Sequence, residues 1–272
     1  MLKTRVFTAL VIFPATIAGV FLPPSWLFQL LVAMLLLTGC WEFRRLAGLN
    51  ESLGWALQIT QSIIIALLIY FWPVVKHEAL PLLFAGCLAW TLMFFRLAAY
   101  KNNASPNQRY RIMGFFSALG AITSCWFALS WLHDQPNGPF TVFLLLLVIW
   151  ASDVGAYFAG KQFGRHKLAP VISPKKTWEG VYGGMLLALA AAFLWSDFIA
   201  DLGIPAVSLL IMTALASLAS IGGDLFISIH KRTVGLKDTG TIFPGHGGIL
   251  DRYDSLLAGA PFFAAAYGAL AL

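Results

Sequence analysis

The sequence predicts an all-α, polytopic membrane protein with about nine transmembrane helices. Hydrophobic residues make up 59% of the 272 residues and charged residues only 11%, against about 25% charged residues in a typical soluble domain. The mean hydropathy of +0.79 points the same way. Backbone polar groups in lipid must be satisfied within helices or closed barrels, and the apolar runs of this chain are too long and continuous for barrel strands.

Each predicted span is an apolar run close to the roughly 20 residues that cross the hydrocarbon core. The nine runs lie near residues 6–22, 26–41, 55–75, 79–95, 112–132, 139–159, 178–198, 204–229 and 251–271. The first run begins like a signal peptide but lacks a convincing small-x-small cleavage site, so we interpret it as a retained helix. Three cysteines without CxxC spacing predict neither a zinc site nor a disulfide framework.

Basic residues fall on one side of the membrane when the chain is threaded through nine spans. They precede span one, follow spans two, four and six, and lie between spans eight and nine, whereas only Lys76 falls on the other side. The positive-inside rule makes the basic side cytoplasmic, which places the N-terminus in the cytoplasm and the C-terminus outside. The cytoplasmic loops are short, so any chemistry must come from helix ends and these loops.

The segment 222–257 concentrates charged residues and glycines in a chain that is otherwise apolar. Asp224 and Asp251 lie at the edges of hydrophobic runs, where charge is costly and usually functional. Asp251 and Asp254 are three residues apart and share a helix face. Carboxylates from spans eight and nine would suit a hard cation such as Mg²⁺. The alternative is that Asp251 and Asp254 only cap a helix.

A second polar cluster lies in VISPKKTWEG, before span seven. We expect Ser173 to cap that helix and Pro174 to lie in its first turn. Lys175 and Lys176 would then lie beside a helix N-terminus. The free N–H groups of that N-terminus and the two lysines together form a good receptor for phosphate. The alternative is a positively charged flank that only sets topology.

Two further features complete the polar inventory. Asp153 lies within span six on the same face as Tyr157, and we expect it to line a cavity open to the cytoplasm or, alternatively, to bond a neighbouring helix. The string Gly245-His246-Gly247-Gly248 predicts a loop whose N–H groups wrap a phosphate. His246 would be a donor to phosphate, a general acid or a plain loop residue. A metal, cations and an aligned nucleophile are what phosphoryl and nucleotidyl transfer need.

These residues resemble the signature of the phosphatidate cytidylyltransferases, or CDP-diacylglycerol synthases. The resemblance is carried by Ser228-x-x-Lys231-Arg232, Lys237-Asp238 and Pro244-Gly245-His246-Gly247-Gly248-x-x-Asp251-Arg252-x-Asp254, together with the upstream AYFAGKQFGRHKLAPVISPKKTWEG. It covers residues from about 150 to 257. The N-terminal half is similar mainly in hydropathy and length.

The resemblance implies that CTP and phosphatidate give CDP-diacylglycerol and pyrophosphate. The alternative is a cytidylyltransferase that acts on another lipid phosphate. It implies Mg²⁺ held by Asp224 and Asp251, with a monovalent cation such as K⁺ sharing the site, and Lys175 or Lys176 on phosphates. The remaining substrate-binding positions that it implies are Asp153, Ser173, Thr177, Ser228, Lys231, Arg232, Lys237, Asp238, His246, Gly247, Gly248, Arg252 and Asp254. The expected setting is the inner (cytoplasmic) membrane, with the site facing the cytoplasm, a homodimer as a family expectation, and no nucleic acid among the partners.

On this interpretation the chain has two parts. Residues 1–111 form the N-terminal membrane helices, spans one to four with a cytoplasmic loop, and residues 112–272 form the catalytic membrane region of spans five to nine.

Three positions depart from the family pattern. Ile227 stands where members usually carry glutamate, which removes a carboxylate near Asp224. His230 replaces an apolar residue and would add a titratable donor beside Lys231. Tyr253 replaces a smaller residue between Arg252 and Asp254.

Other functions remain open at this point. A CTP-using lipid kinase would keep the same site but release CDP rather than pyrophosphate. A transporter would use Asp153 and Asp224 as coupling-ion carboxylates, although no paired half repeats are visible. A non-catalytic paralogue is motivated by Ile227 and His230.

Overall fold

The computed structural model describes residues 2–98, 106–200, 204–242 and 247–270, which are almost entirely helical. The helices are α1 Leu2–Phe21, α2 Ser25–Leu46, α3 Glu51–Tyr70, the short α4 Trp72–Val75, α5 Ala79–Ala98, α6 Gln108–His133, α7 Gly138–Phe163, α8 Trp178–Ala200, α9 Ala206–Thr233 and α10 Leu250–Leu270. A 3₁₀ turn, Lys76–Glu78, links α4 to α5. Each of the nine predicted spans corresponds to one long helix, which confirms the all-α fold class.

Seven of these helices are long and apolar enough to cross a membrane by length and composition. Within the described residues they are α2, α3, α4 joined with α5, α6, α7, α8 and α9. Helix α10 is not among the seven, and most of its side chains are buried against α9, α6 and α5. Large apolar side chains such as Leu186, Phe193 and Leu194 are exposed on α8. An exposed apolar surface of this kind is what a helix facing lipid presents. The protein is therefore a multi-pass membrane protein.

Two helices begin with an asparagine cap, as their sequences require. Asn50 Oδ1 accepts the N–H of Leu53 at the start of α3, and Asn107 Oδ1 accepts that of Tyr110 at the start of α6. Such side chains satisfy one of the N–H groups that a first helical turn leaves without a partner.

The stretch between α7 and α8 is an antiparallel hairpin rather than a helix start. Strand β1, Lys167–Ala169, pairs with β2, Ser173–Thr177, in the register Lys167↔Thr177. The expectation that Ser173 caps α8 and that Pro174 lies in its first turn is therefore wrong. The cap is Thr177, whose hydroxyl accepts the N–H of Gly180 at 3.1 Å. The Ser-Pro pattern is typical of a helix start, but here these residues form a strand that pairs with β1. The local sequence does not show that pairing.

Small residues bring the helices of the C-terminal half into close contact. A methyl group built at Gly155 of α7 would lie 2.5 Å from the carbonyl oxygen of Gly183 in α8, and one built at Gly183 would overlap Ala159. Between α9 and α10, a methyl group at Gly223 would lie 3.0 Å from that of Ala258. Packing of small residues is the usual means of helix association in lipid. It places the ends of α7, α8, α9 and α10 around one region.

The nine long helices of the described ranges, if each crosses the bilayer, put the two termini on opposite sides of the membrane. We expect alkaline phosphatase fused to the C-terminus to be active and green fluorescent protein fused there to be dark. The same fusions made at Gly48, in the loop between α2 and α3, should behave in the opposite way. Arg44 and Arg45, in the last turn of α2, lie beside this loop and favour the cytoplasmic side. Equal reporter behaviour at the two positions would contradict this orientation.

The α7–α8 contact gives a prediction about stability. We expect Gly183→Ala to destabilise the protein by about 1–3 kcal/mol because the added methyl group overpacks the interface with Ala159. Gly19→Ala is the matched control, since no described atom lies within 4 Å of a methyl group built there. Thermal unfolding of both variants in detergent measures the difference. A midpoint for Gly183→Ala at or above that of Gly19→Ala would show that the close approach is not needed.

Candidate active site

Asp224 lies in α9, one helical turn before Ser228, and its charge is compensated from two directions. Lys176 Nζ, on β2, lies 2.6 Å from Asp224 Oδ2. The Ser228 hydroxyl donates to Asp224 Oδ1 at 3.3 Å. The hairpin therefore brings a cation to the carboxylate that the sequence analysis selected, and it does so from a strand rather than from a helix start.

Gly223 explains why a second carboxylate lies near Asp224. A methyl group at Gly223 would lie 2.7 Å from the carbonyl oxygen of Asp254, so α9 and α10 approach closely at this level. Asp254 interacts electrostatically with Asp224, Lys176 and Lys231. Its Oδ1 accepts the N–H of the next residue, Ser255, at 2.8 Å. Asp254 thus belongs to the same charged cluster.

Asp251 is held by four donors at the start of α10. Lys231 Nζ lies 2.8 Å from Asp251 Oδ1. Asp251 Oδ2 accepts the N–H of Thr239 at 2.7 Å, the Thr239 hydroxyl at 3.0 Å and the N–H of Gly248 at 3.0 Å. Only 6% of the Asp251 side chain is exposed. Both backbone donors precede Asp251 in sequence, so this carboxylate organises the preceding loop and does not cap its own helix.

Helix α10 is capped instead by Glu42, from α2. Glu42 Oε1 accepts the N–H of Ile249 at 3.0 Å, and Oε2 accepts that of Leu250 at 2.9 Å. The Thr239 hydroxyl also lies 2.7 Å from Glu42 Oε2, so its single proton is shared between Glu42 and Asp251. Neither Glu42 nor Thr239 is among the site residues predicted from the sequence. Glu42 could have been recognised from the sequence, because it is an acidic residue at the edge of an apolar run.

A cavity of about 230 Å³ opens beside the Lys176–Asp224 pair. Its wall is formed by α7, the hairpin, α8 and α9. The polar and aromatic lining side chains are Asp153, Tyr157, Lys175, Lys176, Thr177 and Asp224. This agrees with the expectation that Asp153 lines a cavity, and it brings Asp153 and Tyr157 to the same space as both lysines of the hairpin.

Other predicted site residues do not line this cavity. Arg232 Nε donates to the carbonyl oxygen of Ile172 at 3.3 Å, so in this structure it braces the hairpin against α9. Lys237, Asp238 and Arg252 are exposed. Gly247 has a φ of 84°, a left-handed conformation that favours glycine. Gly248 is buried against the Glu42 carboxylate.

Two further named positions need separate mention. Ser173 is half-buried in β2 and does not line the cavity. His246 lies outside the described residues.

The three departures from the family pattern all face the interior. Ile227 is fully buried in the apolar core. His230 is also fully buried; its Nδ1 donates to the carbonyl oxygen of Phe226 at 2.9 Å, and its ring packs against Phe43 and Phe226. The expectation that His230 offers a donor beside Lys231 is therefore wrong, because on the helix the ring points into the aromatic core.

Tyr253 reaches from α10 to α2. Its hydroxyl donates to the carbonyl oxygen of Leu35 at 3.1 Å. A methyl group built at Gly39 would overlap that hydroxyl, so the absence of a side chain at Gly39 makes room for the ring.

The carboxylates of the cluster are of the chemical type that a hard cation binds. Asp224, Asp251 and Asp254 offer carboxylate oxygens only, and a small divalent ion binds one or two carboxylates together with water and substrate phosphates. Within the described ranges, no group of three or more His, Cys, Asp or Glu side chains has metal-binding geometry. Lys176 and Lys231 instead compensate two of these carboxylates.

Comparison with known proteins agrees with this picture. Residues 3–270 match the Cytidylyltransferase family. A phosphatidate cytidylyltransferase of Pseudomonas aeruginosa is 36% identical over 266 residues, covering 97% of this chain and 96% of the relative. That of Haemophilus influenzae is 33% identical over 287 residues, covering 98% and 99%. That of Bacillus subtilis is 49% identical over 121 residues, covering 44% and 45%.

The fold and the site define a multi-pass membrane protein with a compact lysine–carboxylate cluster suited to phosphate groups. The family match spans almost the whole chain, and two relatives align over nearly their full lengths. The chain belongs to the cytidylyltransferase family.

The contact between Tyr253 and α2 gives a prediction about stability. We expect Tyr253→Phe to lower the free energy of unfolding by about 0.5–1.5 kcal/mol because the substitution removes the buried hydroxyl that donates to Leu35 O. Tyr70→Phe is the matched control, since the Tyr70 side chain is largely exposed. Thermal unfolding in detergent compares the two. Equal midpoints would mean that the hydroxyl contributes nothing to the docking of α10 on α2.

Proposed function

We propose that this chain is a membrane nucleotidyltransferase that converts CTP and phosphatidate into CDP-diacylglycerol and pyrophosphate. The observation that carries the proposal is the charged cluster where the hairpin, the end of α9 and the start of α10 meet. Lys176 pairs there with Asp224, and Lys231 pairs with Asp251. Support also comes from relatives named for this reaction that align with the chain almost end to end.

The cluster provides the charges that a nucleotidyl transfer between phosphates needs. A phosphate oxygen of the lipid attacks the α-phosphorus of CTP, and the bond from that phosphorus to the β-phosphate bridging oxygen breaks. Pyrophosphate leaves with the bonding electrons. Lys175 and Lys176 reach the cavity from the hairpin, so they bind phosphate oxygens and stabilise the charge on the leaving group. Lys231 does the same from the end of α9.

The carboxylates of this cluster would hold a divalent cation. Asp224 and Asp251 are the proposed ligands of Mg²⁺, which neutralises phosphate charge and aligns the two substrates when bound. Asp251 Oδ2 is saturated by loop donors, so Oδ1 is the oxygen of this residue that remains for a ligand. Lys176 and Lys231 keep the carboxylates compensated until phosphates and a cation arrive.

The proposed setting is the inner (cytoplasmic) membrane, with the cluster on the cytoplasmic side. CTP is a cytoplasmic nucleotide, and the basic connections that precede and follow the site helices favour that side. Asp153 and Tyr157 lie on the cavity wall toward the exposed surface of α7. A lipid phosphate would enter along this surface, where aromatic and apolar side chains face the bilayer.

The reaction is tested with purified protein in detergent or nanodiscs, CTP and phosphatidate. We expect pyrophosphate release and formation of CDP-diacylglycerol, measured by mass spectrometry. Asp224→Asn and Lys176→Ala should each lower turnover by about 100-fold to 1,000-fold, because each removes a charge that acts on the phosphates. Release of CDP with a phosphorylated lipid would instead identify a kinase.

Asp134→Asn is a suitable control for these variants. Asp134 pairs with Lys76 at 3.1 Å, just beyond the end of α6. Helix α6 has 26 residues, so its two ends are about 39 Å apart. Its first turn, at Tyr110, contacts the α9 residue His230. The Asp134 end is therefore remote from the cluster. Turnover of Asp224→Asn equal to that of Asp134→Asn would remove Asp224 from the site.

A further inference from the structure

Glu42 is a buried carboxylate of the N-terminal half that serves the site in the C-terminal half. Its side chain is 5% exposed. Within the described part of the chain, its hydrogen-bond partners are the N–H groups of Ile249 and Leu250 and the hydroxyl of Thr239. A carboxylate buried without a cation is costly unless such donors satisfy it.

The position of Glu42 suits the start of a helix. The first turn of α10 leaves N–H groups without intrahelical partners, and the dipole makes that end positive. Glu42 supplies both the acceptors and the negative charge. A methyl group built at either Gly240 or Gly248 would overlap its carboxylate, so the loop before α10 wraps closely around this side chain.

Thr239 connects Glu42 with Asp251. Its hydroxyl oxygen lies 2.7 Å from Glu42 Oε2 and 3.0 Å from Asp251 Oδ2. The backbone N–H of Thr239 donates to the same Asp251 oxygen at 2.7 Å. Any displacement of the Glu42 carboxylate therefore moves both the first turn of α10 and the donors that fix the orientation of Asp251.

A second contact with α2 holds the other side of this turn. The Tyr253 hydroxyl donates to the carbonyl oxygen of Leu35, and the space left by Gly39 accommodates the Tyr253 side chain. Tyr253 also has a non-helical backbone, with φ −130° and ψ 18°, so α10 is kinked between Asp251 and Asp254. Helix α2 thus contacts α10 at two points around the kink that separates the two carboxylates.

We propose that Glu42 is a positioning residue for Asp251, and that through Thr239 and the first turn of α10 it fixes the Asp251 carboxylate toward Lys231 and toward the cation that Asp224 and Asp251 would hold. This inference rests on the proposed function. It adds a contribution of α2 to a site built otherwise from α7, the hairpin, α9 and α10. Glu42 itself touches no substrate.

The test uses Glu42→Gln and Thr239→Val in the full-length protein, with Thr239→Ser as the conservative variant. The amide of Glu42→Gln would offer one oxygen where the carboxylate offers two, so it cannot satisfy all three donors. Valine keeps the size of threonine without its hydroxyl. Glu51→Gln is the matched charge control, because Glu51 is an exposed acidic residue in the first turn of α3.

Two measurements are made on each variant. Turnover of CTP and phosphatidate is titrated with magnesium, and deuterium uptake is followed in the peptide that contains residues 247–256. We expect Glu42→Gln and Thr239→Val to lower kcat by about 10-fold to 100-fold and to raise the magnesium concentration for half-maximal rate. Glu42→Gln should also speed uptake in that peptide. Thr239→Ser and Glu51→Gln should behave as the unmodified protein does.

The outcomes separate this inference from the proposed function. Faster uptake in Glu42→Gln with unchanged turnover and magnesium dependence would overturn the positioning role, because the cap would then be structural only. Unchanged uptake would overturn the cap itself. If the unmodified protein showed no turnover while Glu42→Gln still exchanged faster, the proposed function would fail and the capping of α10 by Glu42 would stand. Loss of activity in Thr239→Ser equal to that in Thr239→Val would also overturn the role assigned to the hydroxyl.

Discussion

The structure depends on the compensation of negative charge inside an apolar helical bundle. Three carboxylates at one end of α9, α10 and α2 would be strongly destabilising without nearby donors. Asp224 is compensated by Lys176, Asp251 by Lys231 and loop N–H groups, and Glu42 by the first turn of α10. Each donor comes from a different chain segment. The carboxylates therefore determine where the hairpin, the loop before α10 and α2 must lie.

Close packing of small residues makes this convergence geometrically possible. Gly155 and Gly183 allow α7 and α8 to approach, and Gly223 allows α9 to contact the backbone at Asp254. Larger residues at these positions would separate the helices and lengthen the ion pairs. Since Coulomb energy falls with distance and a low-dielectric setting magnifies it, small shifts would change the balance between lysines and carboxylates. Apolar packing and electrostatics are thus coupled at the site.

Hydropathy was sufficient to predict the long helices, because membrane spans are a property of local composition. The selection of Asp224, Lys176 and Asp251 followed from the cost of charge beside apolar runs and from the family resemblance. The hairpin was not predictable in the same way. Ser173 and Pro174 satisfy the local pattern of a helix start, and the competing strand pairing depends on residues 167–169. Glu42 was not predicted because its carboxylate oxygens accept N–H groups that lie more than 200 residues later in the sequence.

The departures from the family pattern are best understood through the side of the helix on which they lie. Ile227 and His230 point from α9 into the core, and Tyr253 points from α10 to α2. None of the three lines the cavity that contains Lys176 and Asp224. Their direct effect is therefore on how α2, α9 and α10 pack together. Because Glu42 and Tyr253 both join α2 to α10, such packing changes reach Asp251 and Asp254 indirectly, through the orientation of the turn that carries them.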